Sequence, residues 1–552
     1  MTTTARPEGA VIYSLPSRHP AAPPPPPTRK GTLVSLTAPA ARPDDASTST
    51  ERSGGMLDSV SRGEVSALAE WPEDVSAERP GGVPASAGPD DVSALAGWRD
   101  DASVERSGGT WTSAGRLGGV LASADRQASV PASASRPIKH RWASLASVTP
   151  MTVPAPAAAA PGPSVSSDIA LFDDPVLAHP YGAYREIRDA APAVYLPRYD
   201  VWAVARFEHV RHALRHHLLF SSAHGVGLLD AFNAPFKGSV QASDPPDHRA
   251  LRGVLADQLA PHALGRFEAD IVNRAETLVD HLVDRGHFDA VTDLARPFPL
   301  ATIGDLIGLA PEARADLLSC AETYFQAGGP MNAYTQRSLL DLEAVFTFLT
   351  KEMARARLRP DGMAVTVYDA ADQGRIDPGS ITNLLRAFAL PSIHTIASGL
   401  GSMLWLLATH PEAWYALRAN PGLVASAVEE SLRLETPIQM FCRVTTRDVR
   451  IGDVVVPEGR RVLLLLGAAN RDPARWPDPE IFDVRRNPID HLGFGYGIHA
   501  CIGHALAKMH LRAILGALVH RATRLHLDGA PCRRINNTAR AFASVPVSVT
   551  RW

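Results

Sequence analysis

The residues with the clearest chemical content run from His491 to Gly503, HLGFGYGIHACIG, and the apolar spacing that follows predicts a helix beginning just after Cys501. A cysteine at that point faces the unpaired N–H groups and the positive dipole end of a helix, a setting that favours the thiolate. A thiolate is a soft, electron-donating ligand of the kind iron takes. Gly495, Gly497 and Gly503 carry no side chain, so the backbone there can turn tightly under a flat macrocycle and approach it closely. The same glycines do not spell a dinucleotide fingerprint, and no Lys-Ser or Lys-Thr pair follows to hold a phosphate. The other cysteines, Cys320, Cys442 and Cys532, stand far apart and form neither a zinc nor an iron–sulfur set. Any metal would hang on one thiolate.

Two further constellations have spacing that matters. Glu430-Ser-Leu-Arg433 puts opposite charges three residues apart on one helix face, where they can pair. In Asp244-Pro-Pro-Asp-His-Arg-Ala-Leu-Arg252, proline sets a turn and His248 and Arg252 then share a helix face at i, i+4. In isolation both patterns are ordinary features of solvated helices.

Phe494 to Gly503 matches, at every defined position, the haem-binding signature Phe-Gly-x-Gly-x-His-x-Cys-x-Gly, and in this the sequence resembles the cytochrome P-450 family. The resemblance extends from Asp168 to Trp552 and implies the family's mainly α fold with a small β region. It implies haem b (iron protoporphyrin IX) as cofactor, with Cys501 as the metal ligand and Phe494, Gly495, Gly497, His499 and Gly503 in the cofactor loop. Glu430 and Arg433 then fall in the family's Glu-x-x-Arg element, with Arg486 as third member of a buried charge cluster. His248, Arg252, Arg443 and His499 match residues that hold the haem propionates.

Counting back from His410-Pro411-Glu412 aligns Pro391-Ser392-Ile393-His394-Thr395 with the family's oxygen-activating segment. Thr395 is the matching hydroxyl, placed to pass protons. Pro391 lacks an N–H and presses on the carbonyl of Ala387, so the helix is expected to open there. His394 stands where the family usually has a carboxylate. Two readings of it stand side by side: a proton relay with an ordinary pKa of about 6.5, which makes turnover more pH-dependent between pH 6 and 8 and less tightly coupled than a carboxylate would, or a side chain facing away from the haem and satisfied by its neighbours.

The activity this implies is that of a haem-thiolate monooxygenase inserting one atom of O2 into a small hydrophobic substrate. A shorter likeness, in Ser221 to Leu228 and the Pro391-Ser392 pair, is to bacterial members that oxidise para-substituted benzoates, and Pro437 to Phe441 is expected to border the same pocket. Electrons would come from a separate ferredoxin and ferredoxin reductase, with Arg249, Lys508, His510 and Arg512 as a docking surface for an acidic partner. Two alternatives stand beside this reading: a haem-thiolate protein without monooxygenase activity (peroxide-using, isomerising or sensing), and a protein that recruits a partner through its N-terminal segment.

Composition sets the frame. Of 46 Pro, 21 lie in the first 167 residues, whereas all 16 Phe lie at Phe172 or later. Residues 1–167 therefore read as a disordered Pro/Ala/Ser-rich segment, with Met151 as an alternative start, and residues 168–552 as the haem domain. Fifty-five basic against 58 acidic residues, a net charge of −3, provide no global field for nucleic acid or anionic membrane. Ala387 to Pro411 lacks Asp, Glu, Lys and Arg over a length that could span a bilayer, and reads as a buried central helix. With no basic cluster or cleavage site at the start, a cytoplasmic monomer without membrane attachment is expected.

Overall fold

Residues Ile381–Thr409, charged only at Arg386 near the start, form a 29-residue helix, and 72% of its most apolar window lies inside the protein. A helix apolar all round belongs at the centre of a domain, and the other elements are laid against it. Asp377 caps the turn that leads in by accepting from Gly379 N. Pro411 ends it by driving His410 out of helical geometry (φ −125°, ψ 77°). The computed structural model describes residues 165–552 and the backbone of Ala10–Ile12. The chain divides into two units, Met1–Pro20 with Ala155–Trp552, and Ala21–Pro154, and every described residue belongs to the first. Most of the expected disordered segment, and the question of Met151, thus lie outside the described residues. Ala10–Ile12 is a strand paired antiparallel with Cys532–Arg534, which the sequence reading did not anticipate.

Around the central helix pack Leu317–Ala327, Pro297–Ile307, Val424–Leu434 and His504–Arg521, and the last of these lies along Pro261–Arg285. Their apolar faces form one continuous core. A second core surrounds a five-stranded sheet in the order Val194–Leu196, Val201–Val204, Arg461–Leu465, Met440–Thr445, Phe220–Ser221. Its pairings are antiparallel except that of Val201–Val204 with Arg461–Leu465. The fold is thus mainly helical with small sheets, as expected. Val449–Ile451 and Val454–Val456 form a hairpin at Gly452, whose φ of +60° suits glycine. Pro311–Arg314 is separated from Leu317–Ala327, and Ala333–Glu352 ends before a 3₁₀ turn at Arg355–Arg357.

His510 corrects an expectation about the surface. Its side chain is fully buried, with Nδ1 bonded to the Leu506 carbonyl and Nε2 2.7 Å from the Thr302 hydroxyl, so it faces the core. Burial pushes its pKa down to about 4, and that of His394 likewise. Both stay neutral in the folded protein between pH 6.5 and 4, where the unfolded chain takes up protons. Stability should therefore fall as pH falls through that window, by an amount on the order of 3 kcal/mol per residue at its lower end. The melting temperature is expected to drop steadily from pH 6.5 to 4.5, and His510→Gln to flatten the slope. A flat profile for the unaltered protein would remove this account.

Candidate active site

A cavity of about 250 Å³ opens between the central helix and the loop before His504–Arg521. One wall is the central helix at Pro391, Ser392, Thr395 and Ile396, and the opposite wall is the loop at Gly493, Phe494, Gly495, His499, Ala500, Cys501 and Gly503. Cys501 and Thr395 thus face one cavity from opposite sides, although 106 positions separate them in the chain.

The loop is held from behind by buried charge. Arg433 and Glu430 have fully buried side chains and form two bonds, Nε to Oε2 at 2.7 Å and Nη2 to Oε1 at 2.8 Å. Arg486 Nε reaches Glu430 Oε1 at 3.1 Å, so the three residues expected to cluster do meet. The remaining donors of Arg433 go to the carbonyls of Asn470 (2.7 Å), Pro479 (2.8 Å) and Ile481 (3.3 Å). Asn470 in turn accepts from Leu492 N at 2.7 Å, which carries the constraint into the loop. Within the loop, Cys501 N donates to the Phe494 carbonyl at 2.8 Å. Gly495 and Gly497 have φ of +69° and +72°. Gly497 serves packing and does not line the cavity: a Cβ there would lie 2.5 Å from the Leu214 carbonyl oxygen.

The thiol behaves differently from the expectation drawn from the helix end. Helix His504–Arg521 begins three residues after Cys501. Cys501 opens onto the cavity, but burial by the surrounding protein pushes its pKa up and outweighs the Gly503 N–H and Arg252, which pull it down.

Cations without counterions gather at one edge. Arg443 is buried, and burial pushes its guanidinium down to about 10. Arg252 Nη2 donates to the Ala500 carbonyl at 2.6 Å, and among the described residues neither arginine has a carboxylate in ion-pair contact. The rings of His248 and His499 lie 4.3 Å apart, and each leaves a buried Nε2 with no partner. Burial first, and the charge of Arg252 next, hold His248 down at about 4. Buried donors of this kind call for an acceptor. A flat apolar ring carrying carboxylates on one edge and a thiolate-binding metal at its centre fits this set of residues.

The central helix differs from expectation in two respects. It runs unbroken through Pro391, and the Ala387 carbonyl that loses its helical donor accepts instead from Gln241 Nε2 at 3.0 Å. His394 does not line this cavity: Phe325 packs against its ring at 5.4 Å, and Ser398 Oγ lies 3.4 Å from Nδ1. With its pKa near 4 it does not titrate between pH 6 and 8, so the pH dependence expected from it falls away. Thr395 Oγ1 donates to the Pro391 carbonyl at 2.7 Å and still faces the cavity. Of the loop Ser221 to Leu228 only Val226 lines the cavity, whereas Pro437, Ile438 and Phe441 all do. The expected docking surface is also revised. His510 is buried, and Lys508 is committed to buried Glu429 at 2.8 Å, with Arg512 at 3.5 Å from the same oxygen; Arg249 is exposed.

Several contributing residues escaped sequence reading. Asn470 had a signal, a lone amide closing the apolar run Val462 to Ala469, which must find buried partners. Gln241 had only half of one: Pro391 announces an unbonded carbonyl, but its donor lies 146 residues away. Glu430→Gln is expected to strand the Arg433 charge and cost about 3–5 kcal/mol in urea unfolding; a cost under about 1 kcal/mol would show the cluster to be dispensable.

Comparison with known proteins agrees with this geometry. The family model "Cytochrome P450" matches residues 415–546. The chain is 35% identical over 377 residues to cytochrome p450 CYP199A2 of Rhodopseudomonas palustris, covering 68% of this chain and 92% of that protein. It is 32% identical over 389 residues to beta-dihydromenaquinone-9 omega-hydroxylase of Mycobacterium bovis, covering 70% and 79%. Among solved structures it is similar to cytochrome P450 CYP109Q5 from Chondromyces apiculatus, with a TM-score of 0.59 and 29% identity over 70% of this chain and 99% of that one.

Proposed function

The chain belongs to the cytochrome P450 family and is a haem-thiolate monooxygenase that binds haem b, and from that premise we propose how its residues divide the work. Cys501 would hold the haem iron through its sulfur, and the observation that carries this is its place in the wall of the cavity that Thr395 also lines. His248, Arg252, Arg443 and His499 would hold the propionates, which the unpartnered buried Nε2 atoms of the two histidines and the absence of a carboxylate in ion-pair contact with either arginine among the described residues support. When bound, the haem supplies the reduction of dioxygen and the oxidising power for oxygen insertion. The protein's part is to orient substrate, exclude water and deliver protons. Thr395 holds a hydroxyl at the cavity wall for the last of these, with Pro391 and Gln241 fixing its turn of helix.

The substrate is a small hydrophobic molecule, as the lining of Val226, Val240, Phe325, Phe388, Ile438 and Phe441 supports. Three of these are aromatic and stack well on a planar ring, which favours an aromatic substrate. Gln241 and Ser392 are the polar groups available to orient it away from the propionate edge. Electrons reach the site from a separate ferredoxin and its reductase. Exposed Arg249 and half-exposed Arg512 remain to meet an acidic partner once Lys508 and His510 are set aside. The chain acts as a cytoplasmic monomer, a placement supported by its bacterial relatives.

Reduced holoprotein treated with carbon monoxide is expected to absorb near 450 nm, the thiolate signature, and Cys501→Ser to lose that band; an unchanged Soret spectrum in the variant would exclude this ligand. Arg249→Glu with Arg512→Glu is expected to raise the KM for ferredoxin several-fold at low salt and to leave kcat at saturating ferredoxin little changed. A KM indifferent to both substitutions and to salt would place docking elsewhere.

A further inference from the structure

Behind the central helix, on the face turned away from Cys501, lies a second cavity of about 30 Å³. It is bounded by His394, Ala397 and Ser398 of the central helix, Glu322 of helix Leu317–Ala327, Arg296, and Arg534 of strand Cys532–Arg534. The volume suffices for one or two waters, and the lining provides the polar partners that a buried water needs. Its outer end is wet: Glu322 and Arg534 pair at 2.9 Å with side chains 26% and 41% exposed. Its inner end is closed off from bulk solvent, since His394 is 6% exposed and Ser398 4%. Phe325 lines the substrate cavity and packs on the His394 ring, so one aromatic ring stands between the two spaces. Nδ1 of His394 faces Ser398, and among the described residues Nε2 has no hydrogen-bond partner.

We infer that this cavity is the proton inlet of the enzyme, with Glu322 collecting protons at its mouth and His394 relaying them from cavity water to the Thr395 turn of the central helix. The inference rests on the monooxygenase reading. Inserting one atom of O2 into a C–H bond releases the other as water and consumes two electrons, supplied through the ferredoxin, and two protons, which must cross the protein. A proton passes from solvent to the Glu322 carboxylate, then through cavity water to Nε2 of His394, and the imidazolium so formed releases it on the Thr395 side. Adjacent helical residues point about 100° apart, so the last transfer takes a rotamer change of the ring. Burial and the charges of Arg534 and Arg296 make that imidazolium short-lived, which suits a relay and not a store. The carboxylate missing from position 394 is thus supplied from the facing helix.

A crystal structure of the haem-loaded protein is expected to show ordered water within hydrogen-bond reach of both Glu322 and His394 Nε2. Glu322→Gln keeps a bond to Arg534 but cannot carry a proton. It is expected to lower product formed per NADH at least threefold, with hydrogen peroxide making up the difference, and to enlarge the solvent isotope effect on turnover. The carbon monoxide spectrum and substrate affinity should stay as in the unaltered protein, and Glu322→Asp should recover part of the coupling. A dry cavity, or coupling and isotope effect unchanged in Glu322→Gln, would overturn the relay while leaving the functional reading intact. Failure of the unaltered protein to oxidise any substrate with ferredoxin and reductase present would overturn both.

Discussion

Arg433 is the residue on which the site leans. Its guanidinium is wholly inside the protein, where an unpaired charge is prohibitively costly, and its donors are shared between one carboxylate and three backbone carbonyls. Those partners come from segments up to 48 residues away, so satisfying one charge brings the chain from Asn470 to Asp483 to a single place. The loop that presents Cys501 begins just beyond and inherits the constraint through Asn470 and Leu492. A buried ion pair of this kind adds little net stability compared with apolar packing. Its value is in specifying one arrangement, since alternatives leave a charge or a carbonyl unmet.

A second constraint, of opposite character, shapes the face across the cavity. The central helix is apolar enough to be buried on all sides, yet it must offer a hydroxyl at Thr395. Pro391 unlocks a single carbonyl without breaking the helix, because Gln241 from a distant loop bonds to the carbonyl that proline leaves without a donor. Substrate cavity, helix and loop are thereby tied by one amide. The cavity wall at Thr395 and the side bearing His394 then lie on different sides of the same helix, with the ring of Phe325 packed against His394.

Local chemistry was legible in the sequence and its surroundings were not. The cofactor loop, the Glu430–Arg433 pair and the helix bearing His248 and Arg252 all rest on spacings of ten residues or fewer. Short spacings read well because backbone geometry alone decides which side chains share a face or a turn. At Cys501 the helix end is a local effect that spacing reveals, whereas the burial that pushes the thiol up is set by the whole domain. His510 and Lys508 were assigned to the surface for the same reason. Charge type is written in the sequence, but the depth of a side chain depends on which neighbours arrive.

By itself, the sequence determined the family, the cofactor and the presence of a long buried helix, the first two carried by residue types at short spacing and the last by a long uncharged run. Tertiary structure alone decided which way His394 points, that Glu322 stands opposite it, and that Gln241 satisfies the Ala387 carbonyl. The physical reason is that these contacts join elements separated by scores of residues, where the outcome follows from packing a whole core and not from any local rule.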